Sequence, residues 1–302
     1  MGHNHDHTHF EAARSGNEKA LVLALAITAG IMVLEFFGGL FTNSLALIAD
    51  SGHMLSDTVS LALSLSAIWF GGKAASAKKT YGYFRFEIIT AFINGVTLFV
   101  IAGFIVYEAI GRFFEPPEVQ GGWMLMIAAI GLAANVLSAW VLNRNADVHG
   151  NLNMKSAYMH VISDALGSVG AIVAGLLILL FDWTLADPII SVVVALLILR
   201  SAWGILRTSL HILMEGTPHT IDAQEVKERL LEIDGVVDVH DLHVWTITSG
   251  LDLFTCHIDV TANADEQMVL RSALKLVHDQ CGIEHTTIQI EKPETMHHSL
   301  KV

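Results

Sequence analysis

The sequence predicts an α-helical membrane protein of six spans followed by a small soluble αββαβ domain. Three observations lead there. Of 302 residues, 53% are hydrophobic and only 16% charged, with a mean hydropathy of +0.52, too apolar for a soluble fold of this size. Six apolar stretches approach the roughly 20 residues needed to cross a bilayer. The acidity is concentrated at the end: residues 1–214 hold 14 acidic and 11 basic side chains, whereas 215–302 hold 16 and 6.

The apolar stretches fall at about 21–41, 44–70, 87–110, 122–142, 156–181 and 184–206. The first is a full span rather than a short signal-peptide core, so it is expected to anchor the chain. Lysine and arginine gather before the first span (Arg14, Lys19), between the second and third (Lys73, Lys78, Lys79, Arg85) and between the fourth and fifth (Arg144, Lys155). The positive-inside rule then places both termini in the cytoplasm, with Arg112 the one exception. Cys256 and Cys281, the only cysteines, would lie in a reducing compartment, and no structural disulfide is expected.

Four regions are expected. Residues 1–17 alternate His3, His5, His7 and His9 with polar residues and read as a disordered, metal-collecting arm; an inert tail or purification remnant is the alternative. Residues 18–214 form the six-helix membrane domain. Residues 215–293 form the soluble domain: helical spacing over 222–232 and 265–280, strand-like runs over 236–248, 251–260 and 285–291, and a turn at Ser249 and Gly250. Residues 294–302 are a tail.

Chemistry concentrates in two spans. The second contains LIADSGHMLSDTVSLALSL and the fifth AYMHVISDALGSVGAIVAG, each presenting a histidine and, four residues on, an aspartate: His53 with Asp57, and His160 with Asp164. Residues i and i+4 share a helix face about 6 Å apart along the axis, so each span offers a bidentate edge. Two facing edges would supply two imidazoles and two carboxylates, a donor set suited to four-coordinate zinc. An aspartate at the centre of a span costs roughly 2.5–3.5 kcal/mol on insertion scales, so paired aspartates point to function. A lone motif would be weak; its repetition carries the weight. Glu35, Asp50, Asn94, Glu108 and Asn135 are further polar residues in spans, open to reading as supporting partners, cavity lining or caps, and Asp50 lies one turn before His53.

The stretches SLALIADSGHMLSD, KTYGYFRFEI, NLNMKSAYMHVISDALGSVG and HDLHVWTITSG resemble the cation diffusion facilitator family, especially its bacterial zinc and cadmium branch. The resemblance implies a homodimer of six-span protomers in the bacterial inner membrane, each with a ferredoxin-like cytosolic domain. It implies export of Zn2+ and Cd2+ from the cytoplasm in exchange for H+, with His53, Asp57, His160 and Asp164 as the transport ligands. Family cytosolic metal sites carry over onto His240, His257 and Glu291, a zinc-binding regulatory set, whereas Gln289 stands where some members have histidine. No histidine lies between Asp57 and His149, so the family's further site in the second-to-third connection is not carried over. Partners are then divalent cations, protons, lipid and a second copy, with no nucleic acid.

Other classes fit less well. An intramembrane zinc hydrolase would need an open coordination position and a general base, and no HExxH occurs. An ATP-driven pump lacks the GxxxxGK[ST] stretch. A sensor without transport would not need six spans.

Overall fold

The computed structural model describes residues 6–70, 76–145 and 152–293; the side chains of Asp57, of His160 and of several residues around them lie outside the described set, as does the tail 294–302. Six long helices come first: α1 Asp6–Thr42, α2 Leu45–Phe70, α3 Arg85–Phe114, α4 Gly121–Asn145, α5 Leu152–Phe181 and α6 Ala186–Leu213. Among the described residues, α1, α3, α4, α5 and α6 are long and apolar enough to cross a membrane. The sixth span is α2, whose 26 residues rise about 39 Å at 1.5 Å each. Large apolar side chains such as Phe37, Phe104, Leu180 and Trp203 face outward, as a lipid-facing surface requires.

The expected arm is corrected at its inner end. Helix α1 begins at Asp6, so residues 6–17 continue the first span as helix instead of forming an unstructured segment. Glu11, Ala12, Ala13 and Arg14 are good helix formers, and elongating an existing helix costs little compared with nucleating one.

The chain divides into two compact units, residues 1–74 with 90–206, and residues 75–89 with 207–302. In the first, α2 is the central element and is buried on two sides. Leu45 and Ala49 share a core with Leu98, Ala102 and Ile105 of α3 and Ala195 and Ile198 of α6. Ala46 and Leu47 share another with Met124 and Ala128 of α4 and Ala171 and Ala174 of α5. The alanines let these backbones approach closely, which is how helices associate without a hydrophobic driving force between them.

In the second unit the sequence-predicted order holds: α7 Ala223–Leu231, β1 Val236–Thr248, β2 Leu251–Val260, α8 Glu266–Cys281, β3 His285–Glu291. Asp222 and Asp265 cap the two helices by accepting from first-turn amides at 2.9–3.2 Å. Gly250, at φ 78°, turns β1 into antiparallel β2, and β3 joins β2 in parallel, giving the order β1-β2-β3. Val226 and Leu230 of α7 and Val269, Ala273 and Val277 of α8 pack on Val239, Phe254, Cys256 and Ile258. Alternation leaves Thr255, His257 and Asp259 on the opposite face. The connection before α3 and the first turn of that helix belong to this unit: Glu87 accepts from the hydroxyls of Thr248 (2.5 Å) and Ser249 (3.1 Å), and Arg85 pairs with Glu215 at 2.8 Å.

Candidate metal centres

The first candidate centre lies where α2 meets α5. The helices run antiparallel: Ala46 and Leu47 cluster with Ala171 and Ala174, while Ser168 Oγ stands 3.5 Å from Asp50 Oδ2. Continuing this register brings position 53 level with 164 and position 57 level with 160. Gly167 permits the approach, because a β-carbon there would collide with the Asp50 carboxylate. Asp164 is buried and His53 half-buried; Asp57 and His160 belong to the same two helices, with their side chains outside the described set.

One turn further along, towards the α2 N-terminus, a polar group gathers that the sequence reading left undecided. Glu35 of α1 and Asp50 of α2 are buried and share Ser168 of α5, whose Oγ is 3.5 Å from Glu35 Oε1. On α4, Gly131 faces this group; a β-carbon on it would overlap Glu35 Oε1 and lie 3.3 Å from Ser168 Oγ. Repeated spacing could not have found this group, because its members come from three helices and one of them is a serine.

The start of α2 is held by a buried carboxylate that sequence reasoning missed. Asp187 of α6 accepts from Ser44 Oγ (2.6 Å) and from the backbone N–H groups of Leu45 (2.9 Å) and Ala46 (3.1 Å), with Arg112 Nη1 3.5 Å away. The charge favours the positive end of the helix dipole and satisfies orphan donors. Arg112, the exception to the positive-inside count, also donates to the Asn43 carbonyl at 2.7 Å.

The second candidate centre lies on the open face of the soluble sheet. His240 pairs across β1 and β2 with His257, and their ring centroids are 5.3 Å apart. His257 Nδ1 is 2.6 Å from Glu291 Oε1 of β3, whose carboxylate is buried and also accepts from Gln289 Nε2 at 3.0 Å. One donor atom from each of His240, His257 and Glu291 lies within 4.8 Å of the others. Tetrahedral zinc with bonds near 2.0–2.1 Å sets its donors about 3.4 Å apart, so these residues fit the ion after rotamer adjustments of about an ångström. Asp259 is a fourth neighbour, its Oδ1 3.5 Å from His240 Nε2. Alternation put it on the right face, and the register that pairs Asp238 with Asp259 and His240 with His257 makes Asp259 the diagonal neighbour of His240.

Elsewhere in this unit His211 and His219 stack on each other, with centroids 4.8 Å apart. Burial in the sheet core pushes the Cys256 thiol up to about 12, and burial with the Glu225 charge raises that of Cys281. Both are free thiols.

Comparison with known proteins finds two family models along the chain. Residues 21–214 match the cation efflux transmembrane domain and residues 218–293 the cation efflux protein cytoplasmic domain. The chain is 48% identical over 294 residues to a cadmium, cobalt and zinc/H(+)-K(+) antiporter of Bacillus velezensis, covering 96% of this chain and 92% of the relative. It is 43% identical over 292 residues to the zinc transporter ZitB of Escherichia coli, covering 96% and 93%. A solved metal-bound C-terminal domain of the CzcD transporter from Cupriavidus metallidurans is 36% identical, covering 24% of this chain and 99% of that one, with a TM-score of 0.22. With both domains matched in order and relatives this similar along nearly the whole length, the chain belongs to the cation efflux, or cation diffusion facilitator, family in its zinc and cadmium branch.

Proposed function

We propose that this multi-pass membrane protein exports Zn2+, and with it Cd2+, from the cytoplasm in exchange for protons, through His53, Asp57, His160 and Asp164. The observation that supports the reading is the antiparallel register of α2 and α5, which brings backbone positions 53 and 57 level with 164 and 160, together with the burial of Asp164. The relatives' names, which couple cadmium, cobalt and zinc to protons and potassium or name zinc alone, support the choice of cargo.

Coupling follows from ligand chemistry. Zinc needs neutral imidazoles and ionised carboxylates, so protons and metal compete for the same atoms. A higher proton concentration outside favours protonated ligands and metal release there; a lower one inside favours reloading. Filling all four positions with protein leaves no site for water activation, which separates this centre from a hydrolytic one.

Residues 18–214 carry transport in this reading, and 215–293 bind zinc through His240, His257 and Glu291 and regulate it. The protein works as a homodimer with both termini cytoplasmic. Zinc flux into proteoliposomes tests the core of the reading. With the lumen made more acidic than the bath, the wild type should accumulate zinc in the lumen, the proton-rich side, and Asp164→Ala should fall to background. Near-normal flux from that variant would remove the site, and accumulation against a zinc gradient with the proton gradient collapsed would remove antiport.

A further inference from the structure

Three buried polar side chains of the membrane unit have no hydrogen-bond partner among the described residues. Asn135 of α4 is fully buried with neither its amide oxygen nor its nitrogen paired, and Ser138 of α4 and Thr28 of α1 are buried with unpaired hydroxyls. A helical hydroxyl commonly donates to the carbonyl one turn earlier, as Thr42 and Ser191 do at 2.7 and 2.6 Å, but Ser138 and Thr28 do not. Buried polar groups are as a rule hydrogen-bonded, so three orphans on two adjacent helices need a physical reason.

The packing gathers all three around the proposed transport site. α4 runs antiparallel to α5: Gly121 lies against Ile178, Gly131 against Ser168, and Ala139 clusters with Val161. That register sets Asn135 level with Asp164, and Ser138 level with Val161, next to position 160. α1 runs antiparallel to α4, with Gly38 against Ile127 and Glu35 against Gly131, which brings Thr28 level with Ser138. The faces follow from one layer of contacts, in which Glu35, Asp50, Gly131 and Ser168 meet. Steps of three, four or seven residues stay on one helix face. They lead from Gly131 to Asn135 and Ser138, from Glu35 to Thr28, from Asp50 to positions 53 and 57, and from Ser168 to Asp164. The neutral polar side chains therefore stand across from the His-x-x-x-Asp edges, at the same levels.

We propose that Asn135, with Ser138 and Thr28, forms a neutral oxygen wall of the transport site and determines how well it takes a cation larger than zinc, cadmium above all. The inference rests on the transport reading and adds a specificity element to it. Four donors from α2 and α5 complete the tetrahedron of zinc. Cadmium carries the same charge on a larger ion and accommodates further donors, and the number and type of donors select among divalent ions where raw affinity does not. An amide oxygen and two hydroxyl oxygens extend the coordination without adding charge. The Asn135 amide suits the place because it is two-sided: with a cation bound, its oxygen turns to the ion while its nitrogen donates to a carboxylate at the Asp164 level.

Competing cadmium and zinc flux in proteoliposomes reads the wall. Asn135→Leu, close in volume, should lower cadmium flux about tenfold and zinc flux about twofold, so that the cadmium-to-zinc ratio falls about fivefold. Asn135→Asp, which keeps an oxygen in the same place, should hold the ratio at or above that of wild type. An amide that only packs helices would move both fluxes together and leave the ratio unchanged in every variant. Ser138→Ala combined with Thr28→Val is the smaller change and serves if Asn135→Leu does not fold; its ratio should fall about twofold or more. An unchanged ratio in the folded variants, with Asp164→Ala at background, overturns the wall and leaves the transport site standing. Near-normal flux from Asp164→Ala overturns the site, and the wall with it.

Discussion

Asp50 lies against Gly167 so closely that a β-carbon on residue 167 would occupy the space of its carboxylate. Gly167→Ala must therefore push Asp50 or the α5 backbone aside, and overpacking of this kind costs about 1–3 kcal/mol. The variant should unfold at lower temperature in detergent and transport several-fold less zinc. Gly170→Ala is the control: the nearest atom to its new β-carbon is Ile190 Cγ2 at 3.4 Å, an ordinary contact. Equal thermal stability of the two variants would contradict the close packing.

Cargo choice should follow donor type. Replacing the imidazole of His53 with a carboxylate shifts the paired edges from two nitrogens and two oxygens towards oxygen, which suits manganese better than zinc. His53→Asp is expected to keep transport while raising the manganese-to-zinc flux ratio by about tenfold, measured with both ions in competition. An unchanged ratio would mean that ligand identity does not filter the cargo.

The contact of His257 Nδ1 with Glu291 Oε1 at 2.6 Å gives the regulatory reading its test. The last 88 residues carry 16 acidic against 6 basic side chains, so two copies brought together repel, and bound zinc offsets that repulsion. Any preference of zinc for the closed arrangement shifts the population towards it. His257→Ala should raise the zinc concentration for half-maximal flux by about tenfold and abolish the zinc response of distances between labelled soluble domains. Distances that still respond to zinc as in wild type would leave His257 a structural partner of Glu291.

Cys256 gives a pH dependence whose sign is fixed. Burial raises its thiol from 9.0 to about 12, so between those values the folded chain keeps a proton that the unfolded chain releases. The soluble domain should lose stability as pH rises above about 9, and its stability at neutral pH should not depend on this group. At pH 8 a thiol reagent should modify Cys256 only after denaturant is added. Rapid modification of the native protein would show that the sheet core opens.

Much of this was legible in the sequence because two periodicities are strong. The 3.6-residue and two-residue patterns placed α7, β1, β2, α8 and β3 within a residue or two of their bounds, and repetition of the His-x-x-x-Asp spacing singled out α2 and α5. What escaped depends on contacts between elements distant in the chain. Asp187 caps α2 across about 140 residues, and Glu35, Asp50 and Ser168 meet only because Gly131 and Gly167 carry no side chain. The inclusion of residues 75–89 in the soluble unit rests on Glu87 reaching Thr248, a pairing that no local pattern encodes.

Since α2 and α5 run in opposite directions while histidine precedes aspartate on both, the four positions in the proposed transport site map onto one another under a half-turn about an axis between the helices. An ion entering from either side of the membrane then meets the same donors in the same order. Such a centre has no intrinsic sense: it accepts and releases cargo but does not rectify its movement. Direction has to come from the difference in proton concentration across the bilayer. Reversing that difference should reverse the traffic through an unaltered protein.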